Sequence, residues 1–98
     1  MPFAQIIEFT THRIDDFNAH LDAWKAKTEG DRIPHRAILC RDRDAEGVYL
    51  LTVEFESHEL AMENSHRPAT SEFATLLADI SDDPLTFRNL DLLREESL

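Results

Sequence analysis

Four polar residues crowd around one proline: His58, Asn64, His66 and Arg67, with Pro68 next in the chain. Histidine exchanges a proton near neutral pH more readily than other side chains. A carboxamide can both donate to and accept from a substrate oxygen. His66 is thus the candidate general base and Asn64 the candidate group that orients a substrate. His58 and Arg67 are candidate ligand-binding residues beside them. Pro68 breaks any helix running through this stretch, and a break leaves backbone amides and carbonyls free to line a cavity. The plainer account is a polar break that faces solvent and is satisfied by water. Trp24 and Tyr49 complete the set of candidate ligand contacts. The Trp24 indole could stack on a planar ligand while its N–H donates, and the Tyr49 hydroxyl could reach a pocket. Core packing is the plainer account of either aromatic.

Other chemistries find less support. His12, His20 and His35 are scattered, and one cysteine cannot supply a thiolate set, so no metal is expected. His58 and His66 stand eight apart on an interrupted helix, and joint ligation would need the kink to realign them. Two glycines leave no phosphate-cradling loop. The adjacent carboxylates Asp15-Asp16, Asp82-Asp83 and Glu95-Glu96 fall at element ends, where they face solvent. Cys40 lies among apolar residues of a strand and reads as a small buried hydrophobe. Arg32, Arg36, Arg41 and Arg43 form the basic cluster. They could attract an anionic ligand or an acidic partner, or simply be solvated edge-strand charges.

Composition narrows the classes further. The 98 residues carry 42% hydrophobic side chains and a formal net charge of -10, and one domain spanning 1–98 is expected. Residues 1–43 hold seven basic and seven acidic side chains. Residues 44–98 hold three and thirteen, so the acidic excess is C-terminal. That charge opposes nucleic acid and anionic membrane surfaces as partners. No signal peptide or bilayer-length apolar run is read, and the cytoplasm is the expected compartment.

The elements that must position these residues follow from periodicity. Phe3 to Thr10 reads as a strand, with Phe3, Ile7 and Phe9 on one parity and Ala4 and Ile6 on the other. Arg13 to Thr28 reads as a helix with Ile14, Phe17, Leu21 and Trp24 along one stripe, stopped by Gly30. Pro34 to Arg43 and Val48 to Glu56 read as strands joined by a hairpin loop that uses Gly47. Tyr49, Leu51, Val53 and Phe55 form one apolar face. Ser57 is suited to cap a helix from His58, with Leu60, Ala61 and Asn64 inward. Pro68 suits the first turn of a second helix, with Phe73, Leu76, Leu77 and Ile80 at helical spacing. Leu85 to Leu93 reads as the last strand.

The result is a βαββαβ order, an α+β ferredoxin-like fold with a four-stranded antiparallel sheet. Two helical layers cannot be built from so few helices, so one sheet face stays uncovered. The first, second and fourth strands carry apolar residues on both parities, and soluble monomers rarely leave such a face wet. A twofold sheet-on-sheet homodimer is therefore expected. A broad hydrophobic ligand or another partner on that face is the alternative.

In element order the chain resembles the dimeric α/β barrel superfamily, and within it the antibiotic biosynthesis monooxygenase-like proteins. The local similarity is the stretch from Ser57 through His58, Asn64, His66 and Pro68 to Phe73. Family members often carry such a helix, broken at a Ser/Thr-Pro-His-like turn and restarted with an aromatic residue. Here the turn is Arg67-Pro68-Ala69 or Pro68-Ala69-Thr70, and the histidine after the proline is absent. The resemblance implies a pocket in each subunit between sheet and helices. Some relatives oxidise electron-rich aromatic compounds with O₂ and no metal or flavin, others degrade haem, and many have no assigned activity.

Three functional expectations follow. The first is a cofactor-independent monooxygenase-like enzyme acting on an aromatic or polyketide-like compound, with Trp24 and Tyr49 shaping the pocket and Asn64 and His66 orienting and deprotonating the substrate. The second is a non-catalytic module binding a small hydrophobic or aromatic ligand. The third is a scaffold homodimer whose pocket is closed by Trp24, Phe55 and Phe73.

Overall fold

The computed structural model describes residues 1–98. β1 (Phe3–Thr10), α1 (Ile14–Lys27), β2 (Arg36–Arg41), β3 (Val48–Phe55), α2 (His58–Ser65), α3 (Pro68–Ile80) and β4 (Thr86–Asp91) follow in that order. The strands form one antiparallel sheet in the order β2-β3-β1-β4. This is the ferredoxin-like βαββαβ arrangement.

Period-2 patterning sets the two faces. Phe3 lies opposite Phe55, and Ile7 opposite Leu51 and Phe87. This parity faces the helices. There Ile7, Phe9 and Leu51 pack with Phe17 of α1 and with Leu77 and Ile80 of α3 as the main core. Phe9 stacks on Phe17 at 5.3 Å between ring centroids, and Phe17 meets Phe73 edge-on at 5.9 Å. Phe3, Phe55 and Ala61 form a smaller core under α2. The opposite parity presents Ile6, Leu50, Cys40 and Leu90 in adjacent registers, with no helix over them.

The helix boundaries have local causes. α1 is one residue shorter at each end than its sequence pattern, because Arg13 and Thr28 are its flanking caps. Thr28 Oγ1 donates to the Trp24 carbonyl at 2.8 Å, closing the helix before Gly30 takes φ +90°. Ser57 Oγ accepts from the Leu60 N–H at 3.2 Å and so caps α2. Pro68 opens α3 at its first turn, where its missing N–H costs nothing.

β2 begins at Arg36 and ends at Arg41, inside the expected span of 34–43. Asp42 Oδ1 accepts from the Asp44 N–H at 2.9 Å and turns the chain early. Gly47 takes φ +78° in that turn. β4 is likewise trimmed to Thr86–Asp91. One expectation is corrected outright: Cys40 is exposed, because it sits on the uncovered face of an edge strand.

Candidate functional site

The helix-facing side of the sheet is not fully filled. A cavity of about 540 Å³ lies between it and the helices, within the size range of small-molecule sites. Its floor is Gln5, Ile7, Leu51, Val53, Phe55 and Phe87 from the strands. Leu21 and Trp24 of α1 form one wall, and Phe73 and Leu77 of α3 another. Asn64, Ser65, Thr70 and Ser71 line it at the α2–α3 junction. The proline break therefore does bring polar groups to a chamber whose floor and walls are mostly apolar.

Asn64 is 9% exposed, in the last turn of α2. Its Oδ1 accepts from Thr70 Oγ1 at 3.3 Å, a bond that spans the break between the two helices. Its Nδ2 makes no protein hydrogen bond, and its side chain borders the cavity. Trp24 is half-buried, 6.5 Å from the Phe73 ring, with the Arg32 guanidinium carbon 5.5 Å from its centroid. Trp24, Phe55 and Phe73 thus border an open volume instead of closing it.

The other sequence candidates lie elsewhere. His66 is the exposed C-cap of α2 and does not line the cavity. Arg67 turns away to donate through Nη1 to the Asp31 carbonyl at 2.7 Å, with the Asp31 carboxylate at 3.4 Å. His58 is exposed and lies edge-on to Phe3 at 5.0 Å. Tyr49 is half-buried, stacked on Phe9 at 5.7 Å and packed against the main core. The proline break thus gathers Asn64 with Trp24, while His66, Arg67, His58 and Tyr49 stand apart.

Residues that the motif did not suggest join the cavity instead. His35, Arg32 and Lys25 border it, as does Gln5, whose Nε2 donates to Asn89 Oδ1 at 3.1 Å. His35 holds the start of the β2–β3 pairing through its N–H to the Glu54 carbonyl at 3.0 Å. Its side chain shares the parity of Ala37 and Leu39, the helix-facing side. Period 2 carried that signal in the sequence. Gln5 carried the same kind of signal, as the polar member of the Phe3, Ile7, Phe9 face. No group of His, Cys, Asp and Glu side chains is placed to hold a metal ion.

No protein-family model matches the chain, and no curated protein matches it. Solved structures do. Rv0793 from Mycobacterium tuberculosis superposes with a TM-score of 0.76 at 23% identity, over 99% of this chain and 100% of that one. SnoaB from Streptomyces nogalater, a cofactor-independent oxygenase, gives 0.78 at 18% identity, over 96% and 95%. A structure described as an antibiotic biosynthesis monooxygenase gives 0.73 at 14%, over 96% and 100%. At these identities the likeness is one of fold. The chain has the ferredoxin-like fold of the antibiotic biosynthesis monooxygenase-like structures.

Proposed function

We propose that this chain is a cofactor-independent monooxygenase-like enzyme that acts on a planar aromatic, polyketide-like compound, and that it works as a sheet-on-sheet homodimer. The observation that carries the reading is a cavity with largely apolar floor and walls, bordered by the buried carboxamide of Asn64. The fold shared with SnoaB supports it. Aromatic and aliphatic walls suit a planar ring system, and a few polar groups at its edge fix its orientation.

The chemistry asked of the chain is modest. An anthrone-type methylene loses a proton to give an electron-rich carbanion that reduces O₂ directly. Overall, the methylene and O₂ become a ketone and water, so one oxygen atom enters the product and the other leaves with two hydrogens. Asn64 Nδ2 donates to the substrate oxygen on which the negative charge settles. His35, the imidazole that lines the cavity, takes the proton. His66 stands outside the cavity, so the proton-transfer role moves from it to His35.

Dithranol, an anthrone, tests this directly. Oxygen uptake with purified protein should exceed the buffer rate, with the quinone and water as products. His35→Gln and Asn64→Ala should each lower the rate by about 10²-fold, the usual scale for removing an acid–base or oxyanion group. An equal loss in His66→Gln would return proton transfer to His66. His35 is itself exposed, and this favours a second reading, a non-catalytic binder of the same class of ligand. Tight binding of aromatic compounds with no uptake above buffer would establish that reading.

A further inference from the structure

The chain carries 20 acidic against 10 basic side chains, yet no aspartate or glutamate lines the cavity. Lys25, Arg32, His35 and Arg36 do. Lys25 and Arg32 also border the open hollow outside, with Ala26, Glu29 and Gly30, so these two cations stand at the mouth. We propose that the cavity takes an aromatic compound that carries an anionic group, a carboxylate, held at this mouth by Lys25 and Arg32. The inference rests on the cavity being an aromatic-ligand site, and it deepens that reading by naming the charge of the ligand.

The local bonding leaves these two cations available. Arg36 is held by Glu54 across the strand pair at 3.5 Å, which neutralises it. Arg32 is fixed in place by two bonds. Its Nε donates to Thr28 Oγ1 at 3.1 Å, and its Nη2 to the Lys25 carbonyl at 2.8 Å. Neither partner is a carboxylate, so its charge stays uncompensated and Nη1 keeps its donors free. The Lys25 ammonium makes no hydrogen bond or ion pair within the chain. The neighbouring acids are occupied or outside: Asp31 pairs with Arg67, and Glu29 borders the hollow but not the cavity.

Arg32 also lies over Trp24, so the cation and the stacking surface are adjacent. A ring packed against Trp24 places a substituent carboxylate beside the guanidinium. In a molecule of net charge -10, such a positive rim selects for anions, because the rest of the surface repels them. Charge-assisted hydrogen bonds are the stronger class, and a concave apolar wall strengthens them further.

Trp24 is the single tryptophan and borders the cavity, so its fluorescence reports occupancy. The probes are anthraquinone-2-carboxylate and the neutral anthraquinone-2-methanol, titrated at low and at high KCl. At low salt the carboxylate should bind about tenfold more tightly or better, a ratio of one charge-assisted contact. The ratio should shrink in high KCl. It should fall close to one in Lys25→Gln combined with Arg32→Gln, while the neutral alcohol binds as before. Because Arg32 also ties down the end of α1, Lys25→Glu is the second variant. The Lys25 side chain has no such tie, and the substitution should invert the preference with only a small loss of thermal stability, from reversing a favourable charge in the last turn of α1. Equal binding of the two probes would overturn the proposal and leave the aromatic site standing. Failure of both probes to bind would overturn the aromatic site and the proposal with it. A preference that survives in both variants would place the anion elsewhere and overturn the assignment to Lys25 and Arg32.

Discussion

Asn64 is pulled by two neighbours. Its oxygen ties the end of α2 to Thr70 in α3, and the residue borders the cavity. A purely structural role and a substrate role predict different outcomes for Asn64→Ala. Loss of one partly buried hydrogen bond costs about 1 kcal/mol of stability, read from urea unfolding. Loss of a substrate contact should weaken anthraquinone binding by about tenfold at unchanged fold, read by Trp24 quenching. The expected result is both; a stability loss with unchanged affinity would reduce Asn64 to a tether. The inward position of Asn64 was legible because it falls one turn after Leu60 and Ala61. Trp24 was legible for the same reason, on the stripe of Phe17 and Leu21. The fates of Arg67 and His58 were not. Each is decided by a partner distant in sequence, Asp31 for Arg67 and Phe3 for His58, and no local spacing encodes that meeting. His66 looked central because it neighbours Asn64, but two residues apart on a helix do not face the same way.

At the scale of the elements, the loop residue Thr11 illustrates what periodicity misses. It is 2% exposed, just after β1. Its hydroxyl donates to the Ile80 carbonyl at 2.5 Å, closing the C-terminus of α3. The same oxygen accepts from the Arg13 N–H at 2.9 Å, at the entry to α1. One side chain thus satisfies backbone groups at the ends of both core helices, where a helix leaves them unpaired. Thr11→Val keeps the volume and removes both bonds, leaving a buried carbonyl without its donor. It should cost about 2 kcal/mol in urea unfolding. Ser57→Ala, which removes an ordinary cap at a less buried site, should cost about 1 kcal/mol. A smaller effect at Thr11 than at Ser57 would show that water replaces its partners. Ser57 and Pro68 were readable because capping and proline chemistry act on the adjacent turn. Thr11 was not, because its main partner lies 69 residues away.

The whole molecule presents one unresolved face. The sheet parity away from the helices carries Ile6, Ile38, Cys40, Leu50 and Leu90, and Leu90 is 40% exposed. The sequence pattern showed apolar residues on both parities, and the register confirms that the second set shares one side. It also explains the misplaced Cys40. An apolar neighbourhood on an edge strand looks like a core, yet no helix of this chain covers that side of the sheet. The proposed homodimer supplies that layer, and Cys40 provides its test because it lies opposite Leu50 in the β2–β3 register. In a sheet-on-sheet dimer, Leu50→Glu places a charge in the interface, beside Glu8 of the neighbouring strand. Burial of an unpaired carboxylate is costly enough to dissociate a modest interface. Sedimentation velocity should show a dimer for the parent protein and a monomer for Leu50→Glu. The Cys40 thiol should react with a thiol reagent at least tenfold faster in the variant, because its cover has gone. A parent protein that sediments as a monomer, with Cys40 already fully reactive, would leave this face to a different occupant and would remove the dimer from the proposed function without touching the cavity on the other side of the sheet.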